Sequence, residues 1–547
     1  MTLGRAPTHE DAFRSSTGFC GPRVSATSIY ALLHRDGHRL FPDDDFADLF
    51  QDVGRASVPP RIVSVVMVLQ RLEGLSDREA VDRFTFDLRW KYAAGGLDYD
   101  HPGFVHTVLV DMRARLRRSA RPNRIFEVAL DVARGAGLVG RKRVLDSTPL
   151  YDAVATQDTV TLVRSAIRTL LRVAPAALAT ELRARCQRDD DYAAPGKPAC
   201  DWDDAEAREA LIDALARDAY AILAALDGRA LDAEVQQAAQ LLATVVGQDL
   251  EQTEDGTFRI ARRVAPDRVI STVDPETRHG HKTAARGFDG YKGHVAIDPD
   301  SEIITATEVT PGNAADGAAA EALLADVLSP SSPAPTERTT ERTTDASRGE
   351  ASNGEATAQP EPVEVYGDAS YGTAEIVEMI EAAGAVANVK VQGPSAPRGH
   401  YGKDAFSIDL DANTVTCPAG VLVQIRKRAD GSGIAAFAAA CTTCARRPHC
   451  TDAKDGRAIR IHAKEATLQR SRALQRAPTW KTLYRSTRPK VERKLAHLVS
   501  RRHGGRRTRM RGCERNRHDF ALLAAAHNLK RLARLGIHYD GMSWATA

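Results

Sequence analysis

The sequence predicts an α/β protein with large all-helical parts, and three observations carry that expectation. Val363, Val365 and Gly367 alternate after a polar, proline-rich run and lead to Asp368. Ser370 and Thr373 then offer N-caps for a helix over Ala374–Ala383, closed by Gly384, and a second apolar run covers Ala385–Val391. This is a strand-helix-strand unit. Further strand signals lie at Arg268–Val273, Tyr291–Ile297 and Ile303–Val309, the last two joined by the turn Asp298-Pro299-Asp300. Residues 25–137 and 159–246 instead carry helical spacing.

The 547 residues suit several domains; 43% hydrophobic and 27% charged content suits a folded chain with a sizeable core. No apolar run is long enough to span a membrane, and the first residues show no signal-peptide pattern, so the expectation is a cytoplasmic protein. Eight cysteines are too few for a disulfide scaffold of this length and point to thiols or metal ligation. The formal charge is only +3, but its distribution is uneven: Arg485–Arg517 holds thirteen Arg or Lys against two Glu.

In order along the chain, residues 1–24 read as disordered. Residues 25–140 read as a helical domain. There Pro59-Pro60 opens a buried helix, Ser76 or Asp77 caps a second, and Pro102–Ser119 forms a third edged by Arg113, Arg115, Arg117 and Arg118. A basic-edged helix pair suits a helix-turn-helix on DNA, and equally a plain bundle with a solvated face. Residues 141–547 read as a mixed α/β domain with three interruptions: a helical insertion at 159–250, a low-complexity disordered loop at 329–362 and a cysteine-bearing insertion at 402–465. Its first strand, Arg141–Asp146, ends in a carboxylate and is stopped by Pro149. A last helix, Asp519–Leu535, presents an apolar face for the sheet.

Three carboxylates stand out by position. Asp146 and Asp368 end strands, where ligands gather in open α/β sheets. Glu492 lies one turn into a helix opened by Pro489, among cations. Two or three carboxylates with Mg²⁺ beside a basic groove is the equipment of phosphodiester chemistry. Among 72 acids, any three could equally be surface or capping residues. Asp274, which also ends a predicted strand, is the rival for the first acid; Asp298 fits a turn and Asp316 a helix cap.

The order of these pieces resembles the DDE transposases of bacterial insertion sequences. The resemblance runs from about Ser25 to Leu535. It rests on Leu145-Asp146-Ser147-Thr148, Gly290-Tyr291-Lys292-Gly293-His294, Val309-Thr310-Pro311-Gly312-Asn313, Gly367-Asp368-Ala369-Ser370-Tyr371-Gly372, Arg488 with Glu492, and Arg506-Arg507-Thr508-Arg509-Met510-Arg511-Gly512. It implies an RNase H-like mixed-sheet core and names Asp146, Asp368 and Glu492 as the acids holding Mg²⁺ or Mn²⁺, with Asp146 preferred to Asp274. Tyr484, Arg488 and Lys494 are the nearest matches to the Tyr, Arg and Lys that accompany the Glu. Tyr484 and Arg488 stand one residue further apart than the usual pattern, and Val499 occupies the position expected for the lysine. The implied activity is cleavage of the element's ends and transfer of the 3′-hydroxyls to target DNA. The implied partners are double-stranded DNA, as terminal inverted repeats and target, and a second copy of the chain; the implied location is the bacterial nucleoid. A Mg²⁺ nuclease on the same core and a non-catalytic DNA-binding relative are the alternatives.

The basic segment reads as a DNA footprint, with Arg501, Arg502, Arg506, Arg507, Arg509 and Arg511 joining Arg488, Lys494 and Tyr484. Cys417, Cys441, Cys444 and Cys450 would complete a tetrahedral shell for structural zinc, with His449 a substitute for Cys450 and four bare thiols the alternative.

Overall fold

Strand β1 (Lys142–Tyr151) is the middle of a six-stranded sheet. The structure is a computed structural model describing residues 1–6, 13–152, 154–283, 285–328, 362–395 and 397–546. On one side β1 pairs antiparallel with β3 (Arg286–Ile297), over Val144–Tyr151. The far edge of β3 carries β2 (Arg278–Thr283) and then β4 (Ile304–Pro311). On its other side β1 pairs parallel with β5 (Glu364–Gly367), but only over Lys142–Val144, and β5 pairs parallel with β6 (Val386–Val389). This order, with three antiparallel strands followed by two parallel ones, is an RNase H-like mixed sheet.

Asp146 therefore lies inside its strand, not at the end. Pro149 does not stop β1 but sits opposite Lys292. It is tolerated because β5 has already left that edge, so no neighbour requires its missing N–H. The predicted strand at Arg268–Val273 is also corrected. That segment forms no strand because side chains take its backbone groups: Gln248 bonds the N–H and C=O of Val269, and the Gln157 carbonyl accepts from the Thr272 N–H.

The layer before the sheet is built mainly from α1 (Ile29–Leu40), α2 (Pro60–Glu73), α3 (Asp77–Phe86), α4 (Thr107–Arg118) and α5 (Arg124–Gly135), with a short helix at Leu88–Ala93. Pro60 starts α2, Gly74 ends it at φ 71°, and Ser76 with Glu79 closes a capping box on α3. The N-terminus differs from the expected disorder where it is described: Thr2 bridges Ala56 and Ser15 caps a short helix, Ser16–Cys20. The helical insertion comprises α6 (Thr159–Val173), α7 (Ala176–Arg185), α8 (Ala205–Leu226) and α9 (Ala233–Asp249), and it has a hydrophobic core of its own. The expected disordered loop lies, except for Pro362, outside the described residues.

After β5, Thr373 caps α10 (Ala374–Ala382). The cysteine-bearing segment folds as two small three-stranded sheets. Then follow α11 (Glu465–Arg476), α12 (Pro478–Thr487), α13 (Pro489–Leu498) and α14 (Cys513–Arg534). One sheet face, with Leu145, Ala296 and Val365, packs on α10 and the short helices after β4. The other face, with Val144, Tyr291 and Val295, shares a core with α13, α14 and the N-terminal helices. Helix α14 is buried along most of its length because it lies between sheet and helical layer. No helix among the described residues is long and apolar enough to cross a membrane.

Candidate functional site

Strands β1 and β5 diverge after Val144 and Tyr366, and the acids emerge where they part. Asp146 is on β1, and Asp368 follows β5 directly. Helices α12 and α13 run past this opening. Arg488 joins them with helical φ −58° and ψ −40°, and Pro489 takes the first position of α13, where no N–H is needed. Glu492 then lies one turn beyond Arg488.

The three acids are gathered around one guanidinium. Arg488 Nη2 stands 2.9 Å from Asp146 Oδ1 and 3.9 Å from Asp368 Oδ2, and its Nη1 stands 3.5 Å from Glu492 Oε1. Exposure rises outward: the side chains of Arg488, Asp146, Asp368 and Glu492 are 8%, 13%, 40% and 63% accessible. Burial pushes the Asp146 carboxyl up to about 6, against the opposing pull of Arg488 and the Ser147 N–H. Arg488 Nε and Nη1 are buried without a hydrogen-bond acceptor, so its charge is balanced chiefly by the acids.

Sequence reasoning missed the next ring of residues. Asp316, expected only to cap a helix, accepts from Ser147 Oγ at 2.7 Å and from Lys292 Nζ at 2.8 Å. Buried His294 bonds Tyr371 Oη at 2.9 Å and Thr310 Oγ1 at 2.8 Å, and burial pushes its pKa down to about 4. The signal was present in Gly-Tyr-Lys-Gly-His and Thr-Pro-Gly-Asn, whose residues face one another across β3 and β4. Lys292 and Asp316, together with Lys282 and Arg506, line an open cleft of about 650 Å³ that contains all three acids.

Asp274 is placed elsewhere. It is buried, and both its oxygens accept from Tyr291 Oη at 2.8 Å and from the Gly512 N–H at 3.2 Å, anchoring the start of α14. Asp298 makes the expected turn, accepting from the Asp300 and Ser301 N–H groups.

Burial separates the basic residues into two groups. Arg501, Arg502, Arg506, Arg507 and Arg511 are exposed and Arg509 is half-buried. Lys494, by contrast, is buried 3.9 Å from Glu302, and burial lowers its pKa to about 8, so it is placed as a core partner of that acid and not as a phosphate contact. Tyr484 stacks on Trp480 and donates to the Gly367 carbonyl at 3.1 Å, bracing the turn before Asp368.

Two stretches match known families: the transposase DDE domain over residues 416–533 and the transposase domain DUF772 over residues 33–115. Both matches support a DDE transposase of an insertion element. The DDE match contains Arg488, Glu492 and the basic segment. No curated protein and no solved structure matched.

Among the described residues, no three or more His, Cys, Asp or Glu side chains are grouped to hold a metal ion. At the cleft the reason is Arg488, around which the acids sit. For the cysteines, the zinc shell is not supported. Cys417, Cys441, Cys444 and Cys450 line one small cavity, but Cys441 and Cys450 pack with Phe406, Val415, Phe437 and Ile459 in an apolar core, and burial raises the Cys450 thiol.

Proposed function

We propose that this protein cleaves the ends of its element and transfers the freed 3′-hydroxyls to target DNA at Asp146, Asp368 and Glu492. The observation that carries this reading is the convergence of three acids, 346 residues apart in sequence at the extremes (492 − 146), on one cation in a cleft edged by Lys282, Lys292 and Arg506.

The donor set fits a divalent ion in kind, since all three groups are hard carboxylate oxygens, while in this structure they are spread around the Arg488 guanidinium. Held by Asp146, Asp368 and Glu492, Mg²⁺ or Mn²⁺ would supply activation of the attacking oxygen and charge neutralisation at the scissile phosphate. The protein's own groups do the rest. Arg488 keeps Asp146 ionised against its burial, so at pH 7 a carboxyl titrating near 6 is roughly nine-tenths charged. Lys282, Lys292 and Arg506 offer cations to the DNA backbone. Asp316 holds Lys292 and Ser147 in place, and Tyr484 braces the Asp368 turn. The attack needs no protein nucleophile, so no covalent protein–DNA link is assigned. Acting on two ends calls for at least two copies of the chain.

The test is incubation of the protein with DNA bearing the element's ends, a plasmid target and Mg²⁺. Cleavage with joined product is expected. Cleavage without joining would reduce the protein to a nuclease on the same core, and DNA binding with neither would leave a non-catalytic relative.

A further inference from the structure

A second open groove, of about 620 Å³, lies where the N-terminal helices meet the C-terminal basic segment. Its cations are Arg113 and Arg117 from α4, Arg507 and Arg509 from the segment before α14, and Arg515 from the first turn of α14; its acids are Asp77 and Glu79. The acids are already engaged. Asp77 pairs with Arg113 and accepts from Gln70 at 2.6 Å, while Glu79 closes the capping box on the Ser76 N–H. The guanidinium groups of Arg117, Arg507 and Arg515 have no ion pair or side-chain hydrogen bond among the described residues. Arg509 donates one Nη to the Leu75 carbonyl at 2.5 Å, and its other Nη is buried with no acceptor. Arg117 is held below the usual arginine range by burial and then by Arg515, with Glu514 opposing and Arg113 and Arg118 adding to the effect.

Uncompensated like charges crowded into one groove repel one another, and an anion entering there gains from all of them. Position says which anion. Arg506 lines the acid cleft and Arg507, the next residue, lines this groove. Both are tied to the end of β1: the Tyr151 N–H donates to the Arg506 carbonyl at 2.8 Å, and the Thr508 N–H to the Tyr151 carbonyl at 2.8 Å. The two walls are rigidly joined as well. His503 bonds the Leu72 carbonyl, and a Cβ on Gly74 would lie 2.8 Å from the Arg502 carbonyl oxygen. A polyanion leaving the cleft beside Arg506 meets Arg507, which lines the groove that Arg509, Arg515 and Arg117 also line.

We propose that this groove binds the sugar–phosphate backbone of duplex DNA flanking the bond held at the acids, with Arg117 and Arg515, from opposite ends of the chain, each neutralising a phosphate. This rests on the reading of the acid cleft given above, and the test separates the two. Full-length protein is titrated against a fluorescent random-sequence duplex in EDTA, by anisotropy, over salt from about 50 to 200 mM. Each phosphate contact contributes about 0.9 to the slope of log K against log salt. R117A/R515A is expected to lower the slope by about 1.8, and R515Q, an exposed single change that leaves packing alone, by about 0.9. R117K/R515K should retain the wild-type slope. An unchanged slope in R117A/R515A and R515Q overturns the groove, whatever the acids do. The acid site is judged separately, by whether D368A still cleaves.

Discussion

Asp146 is held ionised at a cost to the fold, and the size of that cost can be measured. Its carboxyl is 13% accessible, and burial lifts it from 3.8 to about 6 even with Arg488 at 2.9 Å. The native state therefore keeps a proton on Asp146 through a range in which the unfolded chain has released it. Stability falls as pH rises from about 3.8 to about 6 and stays lower above that. A shift of about two units, at 1.36 kcal/mol per unit, amounts to roughly 3 kcal/mol. D146N removes the charge and keeps the shape, and Arg488 retains Asp368 and Glu492. The variant should match the wild type near pH 3.8 and exceed it by about 3 kcal/mol at pH 8, with roughly half of that gain at pH 5. For a domain of this kind that is about 6–12 °C in melting temperature. The assay is calorimetry of both proteins in EDTA at pH 5 and pH 8. A gain that is the same at both pH values, or a D146N protein that melts lower at pH 8, would refute the account of Asp146.

Three further outcomes are expected. Asp368→Ala and Glu492→Ala should each reduce cleavage at least about a hundredfold while DNA affinity, read by anisotropy, is kept; either variant cleaving normally removes that acid from the site. Gly372→Ala would place a Cβ 2.0 Å from the Lys390 carbonyl oxygen. The clash should cost about 1–3 kcal/mol and displace the Asp368 turn, lowering melting temperature and cleavage together; normal melting and cleavage would contradict the close approach. Asp274→Ala strands the Tyr291 hydroxyl and the Gly512 N–H and should cost about 2–4 kcal/mol, read as melting temperature, with Asp274→Asn milder; lost cleavage at unchanged melting would instead place Asp274 in the chemistry.

Local sequence carried much of the fold. The alternation at Val363–Gly367, the Thr373 cap, Pro60 at the head of α2 and the Ser76–Glu79 capping box act over a few residues, and they appear in the structure as expected. Where local reading went astray, a distant group had intervened. Val269 and Ile270 have strand composition, yet Gln248 and Gln157 take the hydrogen bonds that a neighbouring strand would have made. Pro149 reads as a stop, yet β1 continues because β5 has already departed. Lys494 reads as one more cation of a basic run, yet helix geometry turns it into the core beside Glu302.

The sequence by itself determined the α/β class, the order of the elements, and which acids and cations were worth watching, because each of these depends on residue type and short-range spacing. Only the tertiary structure decided that Asp146, Asp368 and Glu492 share one guanidinium, that Asp316 and Lys292 belong to the same cleft while Asp274 does not, and that Arg117 faces Arg515 across a groove. Those are meetings of residues far apart in the chain. They follow from how β1 and β5 diverge and how α13 and α14 pack against the sheet, which no window of sequence contains.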